Sequence, residues 1–309
     1  MNREEILRYF KDKRILVAMG GWSSEREVSL KSGHKVYEAL RSFDLNVERI
    51  DIKTSKDICS KLKKEEIDVV FNIIHGTPGE DGLLTGYLEM VGIPYTGSGP
   101  EASVVGMDKF FTKILLEYYN IPVPPWQIIS NIDDINLAFP VIVKPLREGS
   151  SVGIELIKNR KDLDKVALLL KRYKKLLVEK FFTGLNGTVG ILIDRALPVL
   201  ELEVVSKEFY DYDAKYTKGA TRFIIPARIK EDIRERIKAI ALKIHNIVGA
   251  RGFSRVDFVT DREGNPFFLE INIVPGLTEL SDLPFEARHA GISYNDLMLY
   301  ILSSSLKEV

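Results

Sequence analysis

Four residues in the segment Arg251–Pro275 have the types and spacing of metal and phosphate chemistry. Two strand-like runs flank Asp261-Arg262-Glu263-Gly264-Asn265, and a turn centred on Glu263 and Gly264 sets Asp257 opposite Glu270 and Arg255 opposite Asn272. Strand side chains alternate with period two, so all four share one face while Val256, Phe258, Leu269 and Ile271 turn into a core. Two carboxylates and an amide oxygen form a hard oxygen set suited to Mg2+ bound with waters and phosphate oxygens. Arg255 beside them can stabilise negative charge as it develops. The alternative is a solvated strand face with a cross-strand charge pair, and a one-residue bulge would spoil the register.

Three further clusters offer chemistry. Lys144 ends an apolar run and is followed by the small-residue loop Gly149-Ser150-Ser151-Val152-Gly153, whose backbone N-H groups can approach phosphate oxygens. It is not a Walker A motif, and an ordinary surface loop reads the same way. Gly20-Gly21 leads into Ser24-Glu25-Arg26-Glu27, where Glu27 is either a site carboxylate or half of a Ser24/Glu27 capping box. His75 follows a buried strand, at the end of an α/β sheet where ligands sit, or else it only bonds its own loop.

These residues need elements to hold them. Residues 14–19, 46–50 and 68–74 read as short strands alternating with helices at 28–42 and 56–64, the pattern of a parallel sheet. The turn-rich stretch Gly92–Pro100 closes that unit, and a helix follows over Met107–Tyr119. From Pro140 the texture turns to β-rich segments with a helix at Lys161–Tyr173, then a helix at Lys230–Val248, the hairpin, and closing helices from Phe285. The tyrosine-rich polar stretch Ser206–Thr221 has the length of a functional lid.

The 309 residues carry 44 Lys plus Arg against 44 Asp plus Glu, so no global basic field collects nucleic acid or anionic lipid. The single cysteine, Cys59, permits neither an intrachain disulfide nor a thiolate metal cluster, which fits a cytoplasmic setting. No apolar run has the length of a membrane span.

Taken together, GGWSSEREVSL, HGTPGEDG, the MDK at Met107–Lys109, VKPLREGSSVG, the EKF at Glu179–Phe181, DYDAKY, RGFSRVDF and LEINIVPGLT occur in one order over nearly the whole chain. In this the chain resembles the D-alanine-D-alanine ligases of the ATP-grasp superfamily. The resemblance implies an α/β plus α+β fold: a Rossmann-like parallel-sheet domain over residues 1–98, then a two-part ATP grasp over 99–182 and 183–309. It implies ATP-dependent joining of two D-alanines through a D-alanyl phosphate, for peptidoglycan precursors. The partners implied are ATP as co-substrate, D-alanine, two Mg2+ ions that Mn2+ can replace, and a second copy in a homodimer, with no nucleic acid or membrane.

Carried over by motif, Lys109 and Lys144 resemble phosphate-contacting lysines, and Ser150, Ser151 and Val152 the loop over the γ-phosphate. Glu179, Lys180, Phe181 and Phe182 resemble the hinge that reads adenine, with Phe209 and Phe268 near the base. Asn186 stands where the family has a ribose-binding Glu and offers a weaker hydrogen bond. Asp257, Glu270 and Asn272 resemble the Mg2+ ligands. Glu27 resembles the residue that holds the first ammonium through Ser150 and Tyr216, with His75 nearby. Arg255 and Gly276 resemble oxyanion stabilisers, and Lys215 and Ser281 contacts to the second carboxylate. Glu279-Leu280 replaces a more usual Ser-His. The rival readings are a D-alanine-D-lactate and an L-amino-acid ligase; Tyr216, where depsipeptide ligases carry His, favours an amine nucleophile and so a dipeptide product. The intact Lys144, Arg255, Asp257, Glu270 and Asn272 set opposes a nucleotide sensor without chemistry.

Overall fold

The computed structural model describes residues 1–205 and 219–306. Helix α1 (Arg3–Phe10) is followed by strand β1 (Ile15–Gly20), helix α2 (Arg26–Arg41), β2 (Val47–Ile52), α3 (Ser55–Lys61) and β3 (Val69–Asn72). The three strands form a parallel sheet in the order β2-β1-β3, as the βαβ periodicity predicts. Every residue of β1 is buried, which marks it as the strand covered on both faces. Gly20 at its end and Gly21 after it have φ of 96° and 87°, so the chain leaves the strand toward α2 in a region closed to most side chains.

Two helices absent from the sequence reading, α4 (Leu83–Met90) and α5 (Pro100–Met107), lead to α6 (Lys109–Tyr118). The expected helix over Met107–Tyr119 is α6, which starts two residues later because its N-cap Asp108 takes an extended conformation and accepts a hydrogen bond from the Phe110 N-H at 3.0 Å. Lys109, Thr112, Lys113 and Leu116 form the buried face of α6, at helical spacing.

A second, antiparallel sheet has the order β4-β7-β5-β6, from β4 (Trp126–Ile129), β5 (Val141–Pro145), β6 (Glu155–Ile157) and β7 (Leu176–Lys180), with α7 (Leu163–Tyr173) packed against it. A third runs β11-β10-β8-β12-β13, from β8 (Asn186–Leu192), with the short β9 (Arg195–Ala196) beside it, β10 (Leu200–Val204), β11 (Thr221–Ile224), β12 (Phe253–Thr260) and β13 (Pro266–Asn272). Helix α8 (Glu231–Val248) presents Ile237, Ala241, Ile244 and Val248 to the core. Helices α9 (Asp282–His289) and α10 (Tyr294–Ser303) close the described chain, and α10 returns to pack on α1 and α2. Among the described residues no helix is long and apolar enough to cross a membrane.

Candidate active site

The β12–β13 hairpin pairs Arg255 with Asn272 and Asp257 with Glu270, as the spacing predicts, though by another route. Thr260 pairs with Pro266 and Phe258 with Phe268, and the register then shifts so that Leu269 is the extra residue of a bulge. The turn is therefore one residue tighter than expected, and the bulge restores the opposition of the two carboxylates. It also overturns two expectations. Leu269, read as core, lines a cavity, while Phe268, read as a contact to a nucleotide base, is fully buried beside Phe258 at a ring distance of 6.1 Å.

Arg255 spans both oxygens of Asp257 at 2.8 Å and reaches Asp282 at 3.1 Å. Asp257 also accepts from the Thr188 hydroxyl at 2.8 Å and the Asn272 amide at 3.1 Å. With the Asn272 nitrogen engaged, its amide oxygen is the end left to coordinate a cation. No group of three His, Cys, Asp or Glu side chains suited to a metal occurs among the described residues. The donor set is thus two carboxylates and an amide, which fits Mg2+ completed by water and phosphate oxygens. Behind it, burial and the charges of Asp282 and Asp257 push the Glu286 carboxyl well above the usual carboxylate range.

Two cavities meet at Glu270. The larger, of about 700 Å³, is lined by Glu25, His75, Glu80, Lys109, Ser150, Arg255, Asn272, Gly276 and Ser281. The smaller, of about 100 Å³, is lined by Lys144, Ser151, Glu179, Lys180, Phe181, Phe182, Asn186, Asp257 and Leu269. Lys109 joins them, with its ammonium 3.6 Å from Glu270 and donating to the Glu148 carbonyl at 2.7 Å. Lys144 and Glu179 are diagonal neighbours on β5 and β7 and form an ion pair. Burial opposes the Lys144 charge, but Glu179 and Glu270 outweigh it and raise its pKa above the ordinary lysine value. In the hinge, Phe182 stacks on Phe267 with centroids 4.4 Å apart, and the Lys180 ammonium lies 5.3 Å from the Phe182 ring centre.

Glu27 does not enter the site. Helix α2 starts at Arg26, and Glu27 is exposed in its first turn, while Glu25 at the N-cap lines the larger cavity. Glu25 and Val28, three residues apart, share the inward face, and Glu27 falls on another. The Ser24/Glu27 capping box is not formed either, since the cap has no side-chain hydrogen bond. The Ser150 hydroxyl donates to the Glu25 carboxylate. Ser150 and Ser151 hold φ of 48° and 60°, a left-handed pair that turns the loop toward α2. A Cβ on Gly149 would lie 2.4 Å from Glu25 Oε2, so a larger residue there would push the Glu25 carboxylate from its present position. Val152 closes the turn through its N-H to the Gly149 carbonyl at 3.0 Å and lines neither cavity.

His75 is buried, with Nδ1 2.9 Å from the Val274 carbonyl. A carbonyl only accepts, so Nδ1 carries the proton, and Nε2 has no hydrogen-bond partner among the described residues. Burial lowers the pKa of the ring and keeps it neutral. Glu80, which the sequence reading quoted within HGTPGEDG but did not select, lies in the same wall. Burial, then the negative charge of Glu25, push its carboxyl up to about 8. Its signal was only its place after the Gly76–Gly79 turn. Ser281 accepts from the Thr278 N-H at 3.2 Å and lies against Gly276. Phe209, Lys215 and Tyr216 lie outside the described residues.

Residues 115–303 match the family described as D-ala D-ala ligase C-terminus, and residues 53–98 match D-ala D-ala ligase N-terminus. A D-alanine-D-alanine ligase of Aquifex aeolicus is 43% identical over 295 residues, covering 94% of this chain and 100% of its own. One from Geotalea uraniireducens is 41% identical over 305 residues, covering 97% of each chain. The chain belongs to the D-alanine-D-alanine ligase family. The crystal structure of the Bacillus anthracis D-alanine-D-alanine ligase complexed with ATP superposes with a TM-score of 0.82 at 29% identity, over 96% of this chain and 98% of that one. A second structure of the Bacillus anthracis ligase gives 0.84 at 32% identity, over the same shares. The chain shares the ATP-grasp fold of these D-alanine-D-alanine ligases.

Proposed function

We propose that this chain joins two D-alanine molecules with conversion of ATP to ADP and phosphate. The observation that carries the proposal is the meeting of the two cavities at Glu270, with Lys109, Lys144 and Arg255 around the junction. A carboxylate is a poor electrophile. Attack of the first D-alanine carboxylate on the γ-phosphorus gives an acyl phosphate and ADP, and the second amine then adds to the acyl carbon and expels phosphate. Glu25 holds the first ammonium, Arg255 and the backbone at Gly276 steady the tetrahedral oxyanion, and Ser281 receives the second carboxylate. Lys109 and Lys144 bind the phosphates, and the Glu179 carboxylate accepts from the adenine amine in the smaller cavity. Mg2+ held by Asp257, Glu270 and Asn272 supplies neutralisation of the phosphate oxygens, Mn2+ being an alternative ion.

We assign the domains to residues 1–98, 99–182 and 183–309, and the working form to a cytoplasmic homodimer. The dimer reading draws support from Val104 on α5 and Phe111, Ile114 and Tyr118 on α6, which are exposed, the last three at helical spacing.

The deciding experiment incubates the protein with ATP, Mg2+ and D-alanine, alone or with D-lactate or L-alanine, and identifies products by mass. D-alanyl-D-alanine is expected; depsipeptide alone, or no D-alanine-dependent ADP, refutes the proposal. For the metal set, Asp257→Ala is expected to abolish turnover, and near-normal ADP release from that variant would remove Asp257 from it.

A further inference from the structure

Lys113 has no part in the chemistry above, yet it is the least accessible cation described around the cleft, with a side chain 0% exposed. It lies one helical turn beyond Lys109 on the same face of α6. Its ammonium pairs with one oxygen of Glu179 and donates to the Phe268 carbonyl at 3.2 Å, while the other oxygen of Glu179 pairs with Lys144. One buried carboxylate thus sits between two lysines, at the end of the smaller cavity. Both contacts reach β13: Lys109 faces Glu270 and Lys113 the Phe268 carbonyl, so one face of α6 is tied at two points to a single strand.

The arrangement has a consequence for the nucleotide. A carboxylate shared with Lys144 alone would draw that lysine away from phosphate oxygens, and would lose its counter-ion whenever Lys144 moved to them. A second lysine, fixed by the backbone carbonyl of Phe268, removes that conflict. Burial by itself disfavours the ionised form of Glu179, and Lys113 and Lys144 together bring its pKa below the ordinary value, so it stays an acceptor.

We propose that Lys113 is a positioning residue for nucleotide selection: tied to one oxygen of Glu179 and to the Phe268 carbonyl, it holds that carboxylate in place for the purine's exocyclic amine, and keeps it paired when Lys144 turns from it to the phosphates. This rests on the reading of Glu179 as the group that accepts from the adenine amine. Inosine triphosphate lacks that amine, so the test compares kcat/KM for ATP and for inosine triphosphate in the wild type, Lys113→Met and Lys113→Arg. The wild type is expected to favour ATP. Lys113→Met is expected to lose about tenfold or more of that preference and to raise KM for ATP, with KM for D-alanine unchanged, and Lys113→Arg to recover most of the preference. Should the methionine variant fail to fold, Lys113→Gln, which keeps a donor for the Phe268 carbonyl, takes its place with the same expectation. A wild type indifferent to the two nucleotides overturns the reading of Glu179 and the proposal with it. A selective wild type whose Lys113→Met or Lys113→Gln variant keeps the full preference and KM for ATP overturns the role of Lys113 alone.

Discussion

At the N-cap of α2 the chain distinguishes two glutamates only two residues apart. Glu25 accepts from Ser150 in the larger cavity and Glu27 is exposed. Losing a charge-assisted contact to an ammonium removes about 2–3 kcal/mol, roughly 30- to 150-fold in kcat/KM. Glu25→Gln is accordingly expected to show that loss in steady-state kinetics with D-alanine, and Glu27→Gln to stay within about twofold of the wild type, as exposed substitutions do. Glu80 offers a second test. Its folded pKa, about 8, lies above the value of an exposed carboxyl, so between these two values the folded state holds a proton that the unfolded state releases. Stability contributed by neutral Glu80 is whole below the unfolded pKa and is lost as pH rises through 8, by up to about 1.4 kcal/mol per pH unit. Denaturant titrations from pH 5 to 9 are expected to show this decline in the wild type and a flatter profile in Glu80→Gln. Residue types and spacing revealed the hairpin carboxylates, the lysines and the serine loop. They left Glu25 and Glu80 unread, because a cap and a site carboxylate look alike in local sequence, and burial, which perturbs Glu80, arises only from the packed fold.

Among elements, the β12–β13 hairpin depends on one extra residue. Without the bulge at Leu269, a register of Phe258 with Phe268 would carry on and set Asp257 against Leu269, turning Glu270 off the shared face. The bulge also sorts adjacent side chains into different roles, with Phe268 in the core and Leu269 in the cavity wall. Phe268→Ala is expected to cost about 3–5 kcal/mol of stability, read from the midpoint of a denaturant curve. Leu269→Ala is expected to cost less stability and to raise KM for ATP several-fold, and equal losses in both variants would contradict the sorting. Period-two alternation gave the right facing of the four polar residues, but it cannot register a bulge. Similarly, apolar periodicity located α2, α7, α8 and the strands of the parallel sheet, whereas α4 and α5 hid in a stretch read only for its turn formers.

For the whole molecule, the balance of 44 basic and 44 acidic residues is partly a local balance in the cleft. Lys109, Lys113, Lys144 and Arg255 are each within ion-pair distance of an acid: Glu270, Glu179, Asp257 or Asp282. The exposed apolar face of α5 and α6 belongs to the same scale. Phe111→Glu is expected to halve the mass seen by light scattering while leaving the protein folded, and a wild type already monomeric would refute the dimer. Sequence texture foretold a parallel sheet followed by β-rich segments, but not that α10 returns to α1 and α2, because that contact joins residues far apart in the sequence.

The bond between Ser150 and Glu25 joins segments 125 positions apart, and a side chain in place of Gly149 would meet the Glu25 carboxylate. The serine loop and the start of α2 are therefore fitted to one another, and neither can drift without disturbing that contact. Hybrids that take their first domain from one relative and the rest from another will be limited by this seam: grafts that carry α2 and the serine loop together inherit a matched fit, and those that separate them inherit a mismatch.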